Sequence, residues 1–246
     1  MENLLKNEKS PYLKQHENNP VHWHAWDKKT LDKAKDLKKP IFLSVGYASC
    51  HWCHVMAHES FEDINTANIM NEKFINIKVD REERPDLDNV FQKSLAILTG
   101  VPGGWPLSMF LDENAVPFSG GTYFPPHDMQ GRPSFINVLN QVSDFYEKNK
   151  EKIVQQALQL KNVFQKDQKK SSVISQNLNP HLEAMLNYVD FEWGGFKGSP
   201  KFPQFYVFES FLHFYKKNKN TKYYDAVKVL FNNVCSRGLY DHLLGG

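Results

Sequence analysis

Cysteine and net charge are both scarce in this 246-residue chain: there are three cysteines, and 30 basic residues against 28 acidic leave only +2. Three cysteines cannot build the disulfide framework of a small secreted domain. A charge near zero supplies no field to recruit nucleic acid or an anionic membrane, so neither is expected as a partner. No apolar run approaches the roughly 18–20 residues of a spanning helix, which excludes a membrane span. Glu2, Lys6, Glu8 and Lys9 interrupt the segment where a signal peptide needs uninterrupted apolar residues. The expected location is therefore cytoplasmic. Internal repeats are also lacking. What is plentiful is core material: 41% hydrophobic against 24% charged residues, enough for packed domains. The length exceeds one typical domain of roughly 100–200 residues, so two are expected.

The chain parses into alternating elements. Val21-His22-Trp23-His24-Ala25-Trp26 is an aromatic-rich approach to a helix that Asp27 caps, which runs through Leu31, Ala34 and Leu37 and stops before Pro40. Ile41 to Val45 is short, apolar and β-rich, as in a buried strand. A helix opens at the cysteine pair, and another covers about Ile64 to Phe74. Phe74 to Val79 alternates as a strand does. Pro85 begins a helix with Val90, Ser94, Ile97 and Leu98 on one side, and Gly100 ends it. Leu107–Leu111 and Val116–Ser119 read as a hairpin around Asp112-Glu113-Asn114. From Ser134 one long helix is expected, with its stripe at Phe135, Leu139, Val142, Tyr146, Ile153, Ala157, Leu160 and Phe164. Residues 166–178 are polar and are read as a linker. Beyond them the pattern is helical only and ends at Gly245-Gly246 with no closing element, so the second domain is expected to be incomplete.

The chemistry is concentrated at Cys50-His51-Trp52-Cys53-His54. A strand leading straight into C-x-x-C at a helix start is what a dithiol oxidoreductase requires. Unpaired backbone N–H groups there favour the thiolate, which is the nucleophile. On this reading Cys50 attacks and Cys53 resolves, while His51 and Trp52 support the pair by shaping access. Gly103-Gly104-Trp105-Pro106 then precedes the strand Leu107–Leu111, a position where a proline needs no ladder donor. Cys235, alone among Val229, Leu230, Phe231 and Val234, reads as a buried inert thiol.

Ser10-Pro11-Tyr12-Leu13, Asn19-Pro20-Val21, SVGYASCHWCHVM from Ser44 to Met56, VDREERPDLD from Val79 to Asp88, GGWPLSMFL from Gly103 to Leu111 and GGTYFPP from Gly120 to Pro126 resemble the signature blocks of the spermatogenesis-associated-type thioredoxin-domain proteins. The resemblance continues in Gly194–Gly198 and Pro200–Pro203. It implies a thioredoxin-like α/β domain over residues 1–165, then the first helices of an (α/α) toroid, similar to six-hairpin glycosidases, over 179–246. It implies further that Pro106 is a cis-proline facing the dithiol and that Trp105 lines the substrate groove. Ser44, six residues before Cys50, stands where thioredoxin has a buried aspartate, which leaves Cys53 without an internal carboxylate base.

The expected function is thiol–disulfide exchange with a protein or small-molecule disulfide, needing no cofactor and no metal, and running toward reduction in a reducing cytosol. The oligomeric state is not encoded legibly. Three alternatives use the same residues. Cys50-His51-Trp52-Cys53-His54 matches the C-x-x-C-H haem attachment pattern, though attachment normally belongs to exported proteins. Cys50, His54 and His58 at i, i+4 and i+8 could join Cys53 around zinc or iron. The third alternative is a thioredoxin-like binding module that no longer catalyses exchange, fused to a carbohydrate-related helical domain.

Overall fold

A computed structural model describes residues 2–129, 131–168 and 179–245. It divides into two compact units, Met1–Lys170 and Ser171–Gly246.

In the first unit Ser10 caps the short α1 (Pro11–Lys14), accepting the Leu13 N–H at its hydroxyl. The strand β1 (Trp23–His24) follows. Asp27 caps α2 (Lys28–Leu37) by accepting the Thr30 N–H at 2.7 Å, and Lys38 ends it in the left-handed conformation. Next come β2 (Ile41–Gly46), α3 (His51–Met56) continued by a π-helical turn over Ala57–Phe61, and α4 (Ile64–Lys73). After β3 (Ile75–Asp80) and α5 (Pro85–Thr99), the chain forms the antiparallel pair β4 (Leu107–Leu111) and β5 (Pro117–Gly121).

The sheet order is β1-β3-β2-β4-β5, with β1, β3 and β2 parallel and β4 antiparallel to β2. This is the α/β arrangement the resemblance implied. Side chains alternate across each strand, and both faces are covered. Ile41, Leu43, Val45, Ile77, Val79, Phe91, Leu95 and Met109 fill one side, while Phe42, Tyr12, Trp23, Phe61, Phe110, Phe135 and both cysteines fill the other.

Several sequence expectations change. The strand β1 was not anticipated, because two residues show no periodicity; it exists because it pairs with β3. The alternation in β3 would ordinarily mark a half-solvated strand, yet every residue of it is buried, Asn76, Lys78 and Asp80 included. The buried stripe of α5 is Asp88, Phe91, Ser94 and Leu95, and Val90 and Ile97 are exposed. Phe91 and Leu95 win the sheet-facing position because they are the residues that reach the core. The long helix is two, α6 (Phe135–Lys148) and α7 (Lys150–Gln168). At the break the Asn149 side-chain amide donates to the Phe145 carbonyl, competing with the helix backbone.

The linker expected over 166–178 overlaps α7 at 166–168, and its remaining residues lie outside the described ones. The second unit contains α8 (Asn179–Leu186), α9 (Phe205–Asn218) and α10 (Thr221–Ser236). The last two are joined by Lys219 and Asn220 and pack together over Phe208, Phe211, Tyr223, Ala226 and Leu230. Cys235 is exposed rather than buried: the buried face of α10 is Tyr223, Ala226, Val227 and Leu230, and Cys235 falls off it.

Candidate dithiol–disulfide site

The site grows from the end of β2. Gly46 pairs with Asp80 of β3, and on the other side Val45 pairs with Leu107 of β4, so Pro106 stands at the level of Gly46. Beyond Gly46, the loop Tyr47-Ala48-Ser49 turns back, with the Cys50 N–H donating to the Tyr47 carbonyl, and Cys50 becomes the N-cap residue of α3. Its sulfur accepts the Cys53 N–H at 3.3 Å. Ser, Thr and Asp play this part with oxygen; here a sulfur that can carry negative charge receives the donor. Cys50 and Cys53 are joined by a disulfide. Both residues are buried, at 3% and 2% exposure.

Aromatic side chains pack around the cluster that holds the cysteines. Trp52 is 52% exposed and its ring lies 5.0 Å from that of Tyr123, with His51 edge-on to Trp52. The Tyr123 hydroxyl donates to Glu59 at 2.6 Å, and burial together with Glu59 pushes its pKa up to about 12. Tyr47 meets Trp105 edge-to-face at 5.9 Å, and both pack against the cluster that contains the cysteines. The Trp105–Pro106 peptide bond is cis, as the resemblance implied. Trp105 is fixed from behind. Its indole N–H donates to Asp88 at 2.9 Å, the Arg81 guanidinium lies 4.1 Å from its ring centre, and Arg81 pairs with Asp88 at 3.3 Å.

The fold thus brings Tyr47 and Trp105 against the cluster that holds Cys50 and Cys53, while His51 and Trp52 lie on the exposed edge. Sequence reasoning missed Arg81, Asp88, Tyr123 and Glu59. Arg81 and Asp88 sit in the quoted VDREERPDLD block, but nothing local signals that they clamp a tryptophan 17 residues further on. The metal-ligand set Cys50, His54 and His58 does not converge. His54 Nε2 hydrogen-bonds the Ala48 carbonyl, His58 faces Glu62, and among the described residues no three His, Cys, Asp or Glu side chains meet. No helix is long and apolar enough to cross a membrane among the described residues.

Comparison with known proteins places the sequence in a family. The family described as "Protein of unknown function, DUF255", under the name Thioredox_DsbH, matches residues 2–165. An uncharacterized Caenorhabditis elegans protein, B0495.5, is 40% identical over 253 residues, covering 99% of this chain and 34% of its own length. Spermatogenesis-associated protein 20 is 42% identical in Rattus norvegicus over 209 residues and 41% in Homo sapiens, in each case over 82% of this chain and 26% of the relative. The chain therefore spans between a quarter and about a third of these relatives. Among solved structures, a DsbH oxidoreductase covers 52% of this chain and 86% of its own at 16% identity and a TM-score of 0.38. A disulphide isomerase from Xylella fastidiosa Temecula1 covers 47% and 87% at 13% identity, also with a TM-score of 0.38. With its mixed five-stranded sheet, its cysteine pair at the end of β2 and its match over residues 2–165, this chain belongs to the DUF255 family of thioredoxin-like proteins.

Proposed function

We propose that this chain is a thiol–disulfide oxidoreductase in which Cys50 attacks and Cys53 resolves. The observation that carries the reading is the Cys50–Cys53 bond at the start of α3, with the Cys53 N–H aimed at the Cys50 sulfur. In the reduced protein that donor favours the Cys50 thiolate, since hydrogen bonding to a charged form lowers its pKa. The thiolate attacks a partner disulfide, forms a mixed disulfide and releases one partner thiolate. Cys53 then attacks Cys50, the internal bond forms, and the second partner sulfur leaves. Two electrons pass from the protein dithiol to the partner. Reduction of the partner is the direction a reducing cytosol favours, and that is where we place the protein.

Trp52, Tyr47 and Trp105 form the groove in which a protein or small-molecule disulfide lies. Their ring contacts and the Arg81–Asp88 clamp behind Trp105 support that role. Pro106, with its cis bond, borders the sulfurs, and His51 shapes the outer edge. For the second unit we retain the reading as the opening of an (α/α) toroid, supported by the α9–α10 hairpin. The activity of the much longer relatives is a further step in the same proposal.

Trapping tests it. A Cys53→Ser chain exposed to cell extract under non-reducing conditions should accumulate a covalent adduct through Cys50 that dithiothreitol releases. A Cys50 that neither traps a partner nor alkylates faster than an ordinary thiol would remove the basis of the proposal.

A further inference from the structure

Behind the disulfide, polar side chains are sealed among aromatic rings. Lys78 is 1% exposed, donates to the Ser44 hydroxyl at 3.1 Å, and lies 4.3, 4.8 and 5.4 Å from the ring centres of Phe61, Trp23 and Tyr12. No carboxylate pairs with it among the described residues. Asp80, two positions along β3, accepts instead from the Ser10 hydroxyl and the Glu82 N–H. Tyr12 is fully buried, and its hydroxyl stands beside Ser44 without a hydrogen bond of ordinary geometry.

Gly46 shows what that phenol faces. A Cβ there would stand 2.7 Å from the Cys53 sulfur and closer still to the Tyr12 hydroxyl. Both atoms border the space that glycine leaves open at position 46. A buried polar group without a partner needs an explanation, and the oxidation state offers one. In the disulfide Cys53 has no proton; in the dithiol it has an S–H that the Tyr12 oxygen can accept.

We propose that Tyr12, Ser44 and Lys78 handle the proton of Cys53 in place of a carboxylate, an inference that rests on the oxidoreductase reading above. In the mixed disulfide the Cys53 S–H gives its proton to the Tyr12 oxygen, the phenol proton moves to Ser44, and the Ser44 proton moves to the neutral Lys78 amine. The Cys53 thiolate attacks the Cys50 sulfur. The Cys50–Cys53 bond forms, the bond from Cys50 to the partner sulfur breaks, and its electron pair leaves with the partner, which takes a proton from water. Re-reduction by an external dithiol returns the lysine proton to Cys53.

The surroundings fit both states of Lys78. Burial holds its pKa well below that of an ordinary lysine, while three ring faces and Ser44 receive the charge once it arrives. Burial, with Asp80 adding to it, raises the pKa of Tyr12, so the phenol relays a proton rather than storing a charge. The other titratable groups around this pocket are engaged elsewhere. His16, in the turn after α1, donates to Asn19, and burial keeps its ring neutral; His54 on α3 bonds the Ala48 carbonyl.

The test uses the full chain, reduced and mixed in a stopped-flow instrument with 5,5′-dithiobis(2-nitrobenzoate). The first coloured thiolate released reports attack by Cys50, and the second reports resolution by Cys53. In Tyr12→Phe and Lys78→Met the first phase should keep its rate while the second slows tenfold or more at pH 7. The slowed phase should also rise about tenfold per pH unit where the unsubstituted chain is nearly flat. An unchanged second phase and pH profile in Tyr12→Phe, the milder of the two changes, overturns the relay. Equal slowing of both phases also overturns it, since that marks a structural role. Absence of the first phase in the unsubstituted chain sinks the oxidoreductase reading itself, so the two failures are distinguishable.

Discussion

Trp105 and His16 show how single side chains in this protein depend on atoms far away in sequence. Trp105 donates to Asp88, a buried carboxylate that also faces Arg81. Trp105→Phe keeps an aromatic ring, smaller than the indole, and removes the donor, and hydrogen bonds to charged groups contribute about 1.5–3 kcal/mol. The urea midpoint of the first unit should fall accordingly; an unmoved midpoint would mean water replaces the indole. His16 is buried against Tyr12, Trp23 and Phe61. Burial pushes its pKa down to about 2 from the usual 6.5. Below pH 6.5 the unfolded chain takes up a proton that the folded ring refuses. The stability is therefore complete above pH 6.5 and is lost as the pH falls toward 2, at about 1.4 kcal/mol per pH unit. His16→Gln should flatten that slope in urea titrations between pH 7 and 4.5, whatever it does to the absolute stability. Parallel slopes in the two proteins would assign the acid response to other groups.

At the level of elements, the helices begin where side chains satisfy their first N–H groups. Asp63 accepts from both the N–H and the hydroxyl of Thr66 at 2.7 Å, starting α4 beneath the π turn that follows the cysteines. Those bonds hold its carboxyl below the usual range. Asp63→Ala should cost about 1 kcal/mol, a common value for a lost N-cap. The loss should appear as a lower thermal midpoint at pH 7 that converges with the unsubstituted chain in acid, where Asp63 is protonated. A variant equally destabilised at pH 7 and pH 2 would argue against the charged cap. The cap of α3 is different in kind, because there the accepting atom is a cysteine sulfur, the one we propose to be the nucleophile. Neighbouring strands show the reverse dependence. Lys78 of β3 is covered by rings from α1, β1 and the π turn.

Over the whole molecule the two units carry separate cores, and each should answer to its own titrating groups. In the second unit Asp190 accepts from Lys201 at 2.7 Å and from the Glu192 and Trp193 N–H groups, and its pKa is pushed down to about 2 from 3.8, chiefly by Lys201. Its contribution is complete above the unfolded value and is lost as the pH falls through about 2. The amide resonances of Glu192 and Trp193 should titrate with a midpoint near 2, and Asp190→Asn should remove that inflection. A midpoint near 3.8 would show that the ion pair does not hold the turn. The His16 response belongs to the first unit and should be untouched by this substitution.

The sequence by itself determined the chemistry-bearing pair, the strand that delivers it, the capped helix before that strand, and the proline that opens β4. Each of these is written in spacings of a few residues, where covalent geometry and caps act locally. Cys50, Cys53 and Pro106 are therefore legible in the bare chain. Only the tertiary structure decided that Lys78 is buried, that Tyr12 and Cys53 both border Gly46, that Asp88 and Arg81 clamp Trp105, and that α5 turns Phe91 rather than Val90 inward. Ser44 and Lys78 meet because β2 and β3 pair in that register, and Tyr12 reaches them because α1 folds back over both. Such contacts join residues tens of positions apart. The packing of one element on another fixes them, and no local pattern of residue types records which side chains will meet.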